Sequence, residues 1–359
     1  MAPVMRRPRP LSGATDLSDA SARISTISIS DRAIEVDPDN RSLSSADLEA
    51  ETKSLTPSFR DVLHEYGRTY NKWKAGAYPF PNDDLELKRL YWQHEILKAL
   101  FRRRNWFAPI NRLPKKYPKR ILDIGCGTGH WCREMAKEFP RSRVEGFDIT
   151  PTEERMWPEN CHVHVDDIRS KDWWGLANNY TYDYIHTRGW MESQELYPTV
   201  YCDDGTMPDD WPLKEWSQFQ DEAAHDILGT PLRIANKLKK WYEQAGLVEV
   251  KEEIFRIPIL EWAKEPQLKL LGKCMAWNMQ MGLYGWSVNY FHRAFGWTES
   301  ETRVRLARVY NCLGDKSVHA YFKVYVVYGR KPREGEEPSQ VPRSADWPTP
   351  ETAYNDGEF

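Results

Sequence analysis

The run Arg120-Ile121-Leu122-Asp123-Ile124-Gly125-Cys126-Gly127-Thr128-Gly129-His130-Trp131 constrains this chain more than any other stretch. A short apolar segment ends in a glycine-rich turn, and a helical pattern begins straight behind it. A strand–turn–helix unit of this kind lets backbone N–H groups approach a nucleotide-like ligand at the helix N-terminus. Glycine is needed because a Cβ blocks either the tight turn or the close approach. The bland alternative, an ordinary strand–helix turn with chance glycines, is disfavoured because the strand and helix flank the glycines as a binding loop requires. A dinucleotide fingerprint, Gly-x-Gly-x-x-Gly, places a glycine where His130 stands, which argues against a nicotinamide dehydrogenase.

The spacing found instead, Asp-x-Gly-x-Gly-x-Gly from Asp123 to Gly129, resembles motif I of the Rossmann-like S-adenosylmethionine (SAM) methyltransferases. The resemblance implies a class I α/β fold: a mostly parallel sheet with helices on both faces. It also implies that Gly125, Cys126, Gly127 and Gly129 curve round the aminoacyl end of SAM. Asp123 then helps to hold the loop and the amino group. Val144-Glu145-Gly146-Phe147-Asp148 reads as the next strand, ending in an acid about twenty residues past the glycines, where a carboxylate accepts from ribose hydroxyls. Ile149 follows it as a further cofactor position. Cys161-His162-Val163-His164-Val165-Asp166-Asp167-Ile168 reads as a third strand, and the resemblance puts one of its acids on the adenine amino group. Asp148 is otherwise a solvated turn acid, and Asp166 and Asp167 are equally well explained as common strand-end turn residues.

Composition narrows the class further. The 359 residues include 16 Trp, 18 Tyr and 12 Phe, enough for one large core. A net charge of −3 gives no global attraction to nucleic acid. No apolar run reaches the length needed to cross a bilayer. The first residues lack the apolar stretch of a secretory signal. Six scattered cysteines without a Cys-x-x-Cys pair suit a reducing compartment, cytoplasmic or nuclear, and offer neither a zinc spacing nor a disulfide framework.

Three regions are expected. Residues 1–57, rich in Ser, Asp, Arg and Pro, read as a disordered tail whose Arg6-Arg7-Pro8-Arg9-Pro10 is a solvated basic segment or a weak nuclear address. Residues 58–333 read as the α/β domain, beginning with a helical segment over 58–113. Within it Asp83 and Glu86 fit a capping box, and Leu87, Leu90, Tyr91, His94, Leu97 and Phe101 recur at helical spacing as one buried stripe. His94 there reads as a hydrogen-bonded core histidine. Residues 334–359 read as a disordered acidic tail.

The segment Tyr78-x-Phe80-Pro81-Asn82-Asp83-Asp84, then Arg89-Leu90 and His94, followed by the glycine loop, resembles the fungal LaeA-like methyltransferases. Cys202-Asp203-Asp204-Gly205, Ala245-Gly246-Leu247-Val248, Arg256-Ile257-Pro258 and His319-Ala320-Tyr321 match in the same order, so the resemblance spans residues 60–333. It implies a SAM-dependent methyl transfer to a small metabolite or a regulatory protein, in a family that includes nuclear regulators of secondary metabolism. It also implies an N-terminal lid over the SAM pocket, with Tyr66, Arg68 and Tyr78 as candidate lid residues. A non-catalytic member kept as an interaction module is the competing reading.

Behind the glycines, Trp131, Met135 and Phe139 should face inward on a helix ended by Pro140. Trp173-Trp174 either flank the adenine or pack. Residues 213–246 carry helical periodicity, 248–254 alternate as a strand, 264–311 are helical, and 319–328 form the last strand. The Met- and aromatic-rich stretch with Met275, Trp277, Met279, Met281, Tyr284, Trp286 and Tyr290 is read as core in preference to an acceptor pocket. No base can be chosen among His186, His225, His292 and His319, and no metal-ligand spacing is present.

One feature departs from the family pattern. Tyr182-Asp183-Tyr184-Ile185-His186, the expected fourth strand, runs directly into Gly189-Trp190-Met191-Glu192 of the expected fifth, as if an exon were lost near residues 188–190. Parallel neighbours need a crossover of about a dozen residues or more. The sheet is therefore expected to be short of one strand or of its fourth crossover helix.

Overall fold

The computed structural model describes residues 61–72, 78–112, 119–150, 157–167, 182–184, 187–229 and 231–343. The expected tail over 1–57, the Trp173-Trp174 pair, His186 and residues 344–359 lie outside them.

The described chain opens with an antiparallel hairpin, β1 (Val62–Glu65) and β2 (Arg68–Asn71), in register from Val62↔Asn71 to Glu65↔Arg68. This corrects the expectation of helix across these residues. Tyr66 and Gly67 have φ of 52° and 70°, the left-handed pair that a two-residue hairpin turn requires. Once paired, β2 buries Arg68, Tyr70 and Asn71, which an isolated helical pattern does not reveal.

Helix α1 (Asp84–Leu100) follows, and Asp83 caps it by accepting the Glu86 N–H at 3.1 Å. The buried face is Glu86, Arg89, Trp92, Ile96 and Leu100, so the expected stripe is displaced. Leu90, Tyr91 and His94 are only partly buried. Burial of the charged pair is possible because Glu86 and Arg89 neutralise each other.

The main sheet is built from β3 (Arg120–Ile124), β4 (Arg143–Asp148), β5 (Cys161–Val165), β6 (Tyr182–Tyr184), β7 (Thr187–Tyr201), β8 (Val248–Pro258) and β9 (Tyr321–Arg330). Their order is β5-β4-β3-β6-β7-β9-β8. The first five pair in parallel, and β9 runs antiparallel to both its neighbours. Helix α2 (His130–Glu138) joins β3 to β4, and α3 (Pro212–Leu228) and α4 (Leu238–Gln244) join β7 to β8. Long α5 (Pro266–Phe295) and α6 (Glu299–Cys312) stand between β8 and β9. Neighbouring residues of a strand point to opposite faces. On β7, Glu192 accepts the N–H groups of Phe107 and Ala108 at 2.8 and 2.7 Å, while Ser193 meets the Tyr242 hydroxyl of α4 at 2.8 Å. The segment behind α1 and the helix α4 thus cover opposite faces. Under α4 lies a core of Tyr197, Leu238, Tyr242, Leu247, Tyr325 and Val327.

Both the fourth and fifth strands are present and parallel, which corrects the expectation of a lost strand. The crossover helix is what is missing, since only residues 185 and 186 separate β6 from β7. Strand β6 is described over Tyr182–Tyr184, and its pairing with β7 shifts register between Tyr182↔Thr187 and Tyr184↔Trp190.

Residues 334–343, expected as part of a loose tail, make defined contacts. Glu336 takes the Arg330 guanidinium through both oxygens at 2.6 and 2.8 Å, and the Gln244 amide donates to the Pro342 carbonyl at 2.5 Å. Among the described residues no helix is long and apolar enough to cross a membrane.

Candidate active site

The glycine turn is assembled from the ends of β3 and β4. Beyond Ile124, the N–H groups of Gly125 and Cys126 both reach the Phe147 carbonyl, at 2.7 and 3.1 Å. Gly125, Gly127 and Gly129 have φ of 72°, 51° and 68°, conformations that residues with a Cβ rarely adopt. Gly129 is excluded from bearing a side chain on a second ground: a Cβ there stands 2.3 Å from the Trp157 ring. It is also the N-cap of α2, whose first turn points its N–H groups at the loop.

Asp148 closes the turn from the side. One carboxylate oxygen accepts the Gly127 N–H at 2.8 Å and the other the Thr150 N–H at 2.8 Å. Desolvation pushes its pKa up, against those hydrogen bonds. Asp123 accepts from the Cys132 thiol at 3.2 Å, and desolvation pushes its carboxyl up to about 6. Cys126 and Cys132 pack where Gly146 leaves room; a Cβ on Gly146 meets their sulfurs at 2.9 and 2.8 Å. At the end of β5, the Asp166 N–H donates to the Asp148 carbonyl at 3.0 Å. The Asp167 N–H donates to the Asp166 carboxylate at 2.8 Å, and the Asp167 side chain is buried. The sequence-derived positions Asp123, Gly125, Cys126, Gly127, Gly129, Asp148, Ile149, Asp166 and Asp167 therefore converge on one corner of the sheet.

The N-terminal hairpin and α1 lie over that corner. The Asn71 amide donates to the Ile149 carbonyl at 2.5 Å. Arg68, 7% exposed, holds Asp83 through two bonds of 2.5 and 2.7 Å, which ties the hairpin to the cap of α1. Leu90 sits 3.8 Å from where a Gly127 Cβ would project, and the Tyr91 ring lies 4.7 Å from that of His130. Tyr78 is within electrostatic range of both Glu86 and Asp148, and desolvation pushes its phenol up. Tyr66 lies at the hairpin turn, where its carbonyl accepts from the Tyr284 hydroxyl at 3.1 Å.

The histidines separate by position. His225 pairs with Asp226 at the end of α3, His292 with the Trp297 carbonyl, and His319 with Asp204. Those beside the turn are His130, which meets the Thr128 hydroxyl at 2.7 Å, and His94, 3.4 Å from Glu134. Donor atoms of His94, Glu95 and Glu134 come within 4.8 Å of one another, a grouping that the sequence spacing does not reveal. Lys98 is already ion-paired to Glu134, so a cation there competes with an ammonium group. In α5, Met275, Met279 and Tyr290 are buried, whereas Trp277, Met281, Tyr284 and Trp286 are half-buried.

Sequence reasoning assigned none of Asn71, Leu90, Gly146 and Trp157 to the site. Leu90 was read only as part of the helical stripe and the family match, and Gly146 carried a signal in that a lone glycine inside a strand marks close approach. Asn71 and Trp157 act across the fold and leave no local pattern.

A turn of left-handed glycines between strand and helix, an acid closing it from the next strand, and a parallel sheet with one antiparallel strand, β9, near its end define the Rossmann-like class of SAM-dependent methyltransferases. The model of a methyltransferase domain matches residues 98–202. The chain is 31% identical over 329 residues to a methyltransferase, pytC, of Aspergillus terreus, covering 83% of this chain and 96% of that one. It is 26% identical over 304 residues to the secondary metabolism regulator LAE1 of Cochliobolus heterostrophus, covering 77% and 97%. With the secondary metabolism regulator laeA of Aspergillus niger it shares 25% identity over 292 residues, covering 75% and 76%. The chain belongs to the LaeA-like family of fungal SAM-dependent methyltransferases.

Proposed function

We propose that this methyltransferase holds SAM over the glycine turn and passes its methyl group to a small metabolite of fungal secondary metabolism. The observation that carries this reading is the turn itself: three left-handed glycines closed by the Asp148–Gly127 bond. The cradle fits the group, since side chains at these positions would fill it. In this reading Gly125, Cys126, Gly127 and Gly129 line the aminoacyl end with backbone, and Asp123 holds the loop and the amino group. Asp148 and Ile149 take the ribose, and Asp166 and Asp167 the adenine. Bound SAM supplies a methyl group on an already activated sulfonium leaving group. The chain's own task is then alignment and exclusion of water, for which the hairpin and α1 are the lid.

The family's regulators favour a regulatory protein as the alternative acceptor. A second reading, a catalytically impaired fold serving as an interaction module, is supported by the two-residue link between β6 and β7. The scattered pattern of the six cysteines, none of them disulfide-paired, supports a reducing compartment, cytoplasm or nucleus. Incubating the chain with methyl-labelled SAM and a fungal extract, then separating metabolites from proteins, tests these readings. Label in the metabolite fraction supports the proposal, label in protein the alternative acceptor. SAM binding without any transfer leaves the impaired module.

A further inference from the structure

Inside the lid lies a carboxylate that the glycine turn does not use. Glu86 is 2% exposed, yet one of its oxygens, Oε2, has no hydrogen-bond partner among the described residues. Leaving a buried carboxylate oxygen unpaired is costly, and native structures keep such atoms where something else meets them. The other oxygen, Oε1, is fully engaged. It accepts from Arg89 Nε and Nη2 at 2.9 and 2.7 Å. Arg89 is anchored in turn by Gln93 at 2.5 Å, by Asn278 of α5 at 3.2 Å, and by the Trp286 ring 4.6 Å from its guanidinium carbon. The Asn278 amide completes the link by donating to the Arg89 carbonyl at 2.9 Å.

This network fixes where Glu86 stands. At the third position of α1 a glutamate commonly turns back to the N-cap N–H in a capping box. Here Asp83 makes its half of the box, while Glu86 bonds forward to Arg89, so Oε2 is not spent on the helix. Glu86 and Leu90 are four residues apart and share one helix face. Leu90 is the side chain over Gly127, and Tyr78 is within electrostatic range of both Glu86 and Asp148. Glu86 thus lies on the face of α1 that it shares with Leu90, the residue beside the glycine turn.

We propose that Glu86 Oε2 is the lid's hydrogen-bond acceptor for a protonated amine, the α-ammonium of SAM. The assignment rests on the SAM reading above and adds to it a cofactor contact from α1. An ammonium donates to the free oxygen, and Arg89 keeps Oε1 in place, so the lid carries a preset acceptor.

The test is calorimetry of the full chain with S-adenosylhomocysteine, which carries the ammonium, and with 5′-methylthioadenosine, which lacks the aminoacyl arm. Glu86→Gln keeps an oxygen towards Arg89 and puts an amide NH₂ where Oε2 was. It is expected to weaken S-adenosylhomocysteine tenfold to a hundredfold and to leave 5′-methylthioadenosine within twofold. Glu86→Asp, which keeps the charge but withdraws it by one methylene, is expected to fall between, and it stands in if the Gln variant does not fold. Wild type that binds S-adenosylhomocysteine with unchanged affinity in the variants overturns this assignment alone, as does an equal loss for both ligands. Wild type that binds neither ligand overturns it together with the SAM reading.

Discussion

The Asp148 carboxylate accepts the Gly127 N–H at 2.8 Å, and through that bond the end of β4 sets the shape of the turn that follows β3. Register makes it possible. Ile124 pairs with Phe147, so the residue after each lies at the same edge of the sheet. The carboxylate that closes the loop is also the acid expected at the ribose.

Removing it has a defined cost. Asp148→Ala is expected to weaken SAM binding by about 1–3 kcal/mol through lost charge-assisted hydrogen bonds. Titration calorimetry reads this directly; affinity unchanged within error contradicts the role given to Asp148.

Gly129 tests the packing around the loop. Gly129→Ala puts a methyl group 2.3 Å from the Trp157 ring and forces a φ of 68° on a residue with a Cβ. The backbone part alone costs about 1–2 kcal/mol. A second substitution, Trp157→Ala, is expected to relieve the clash but not the backbone strain. Chemical denaturation of the single and double variants should therefore show coupling between the two sites, and strict additivity would count against the contact.

Asp123 gives a pH test. Desolvation raises its folded pKa from 3.8 to about 6, with the charge of Asp148 adding to the rise and the Cys132 thiol opposing it. The native state therefore holds this proton more tightly than the unfolded chain does. Its contribution to stability is fully present below pH 3.8 and is lost as the pH climbs through about 6. Asp123→Asn removes a desolvated charge, so at pH 7 the variant is expected to be more stable by about 1–3 kcal/mol. That gain should shrink towards pH 4, and SAM affinity should fall. Denaturation midpoints that differ equally at both pH values contradict this account.

What the sequence disclosed and what it hid divide along local and non-local physics. The glycine turn, Asp148 and α2 were legible because a strand, a turn and a helix of fixed spacing imprint on neighbouring residues. The hairpin was not. Its signal is the single Tyr66-Gly67 turn, and the burial of Arg68 depends on Asp83, fifteen residues away. The helix α1 was legible as a helix, but its buried face was not, because Glu86 and Arg89 read as solvent-facing until Asn278 is seen opposite them. The short spacing between the fourth and fifth strands was legible as a missing strand or crossover helix, and the pairing of β6 with β7 leaves the helix as the missing part, which only the strand pairing reveals.

The short link between β6 and β7 carries its own prediction. A normal crossover of about 25 residues brings a helix that packs on the sheet. Inserting a helical crossover of about 25 residues between Tyr184 and Thr187 is expected to raise the melting temperature by several degrees, the shift that about 1 kcal/mol produces. An insertion that leaves the melting temperature unchanged or lowers it indicates a sheet already complete without the helix.

The central claim is that the glycine turn is a SAM site, and titration of SAM into the wild-type chain and into Gly127→Val tests it most directly. Gly127 has a φ of 51°, which strains any residue with a Cβ, while an added Cβ meets Leu90 at 3.8 Å and no other atom within 4 Å, so the loss of binding is read in a variant that still folds. The account predicts saturable binding by wild type and none by a variant that still unfolds cooperatively. A wild-type chain that does not bind SAM, or a folded Gly127→Val variant that binds it as tightly, contradicts the claim.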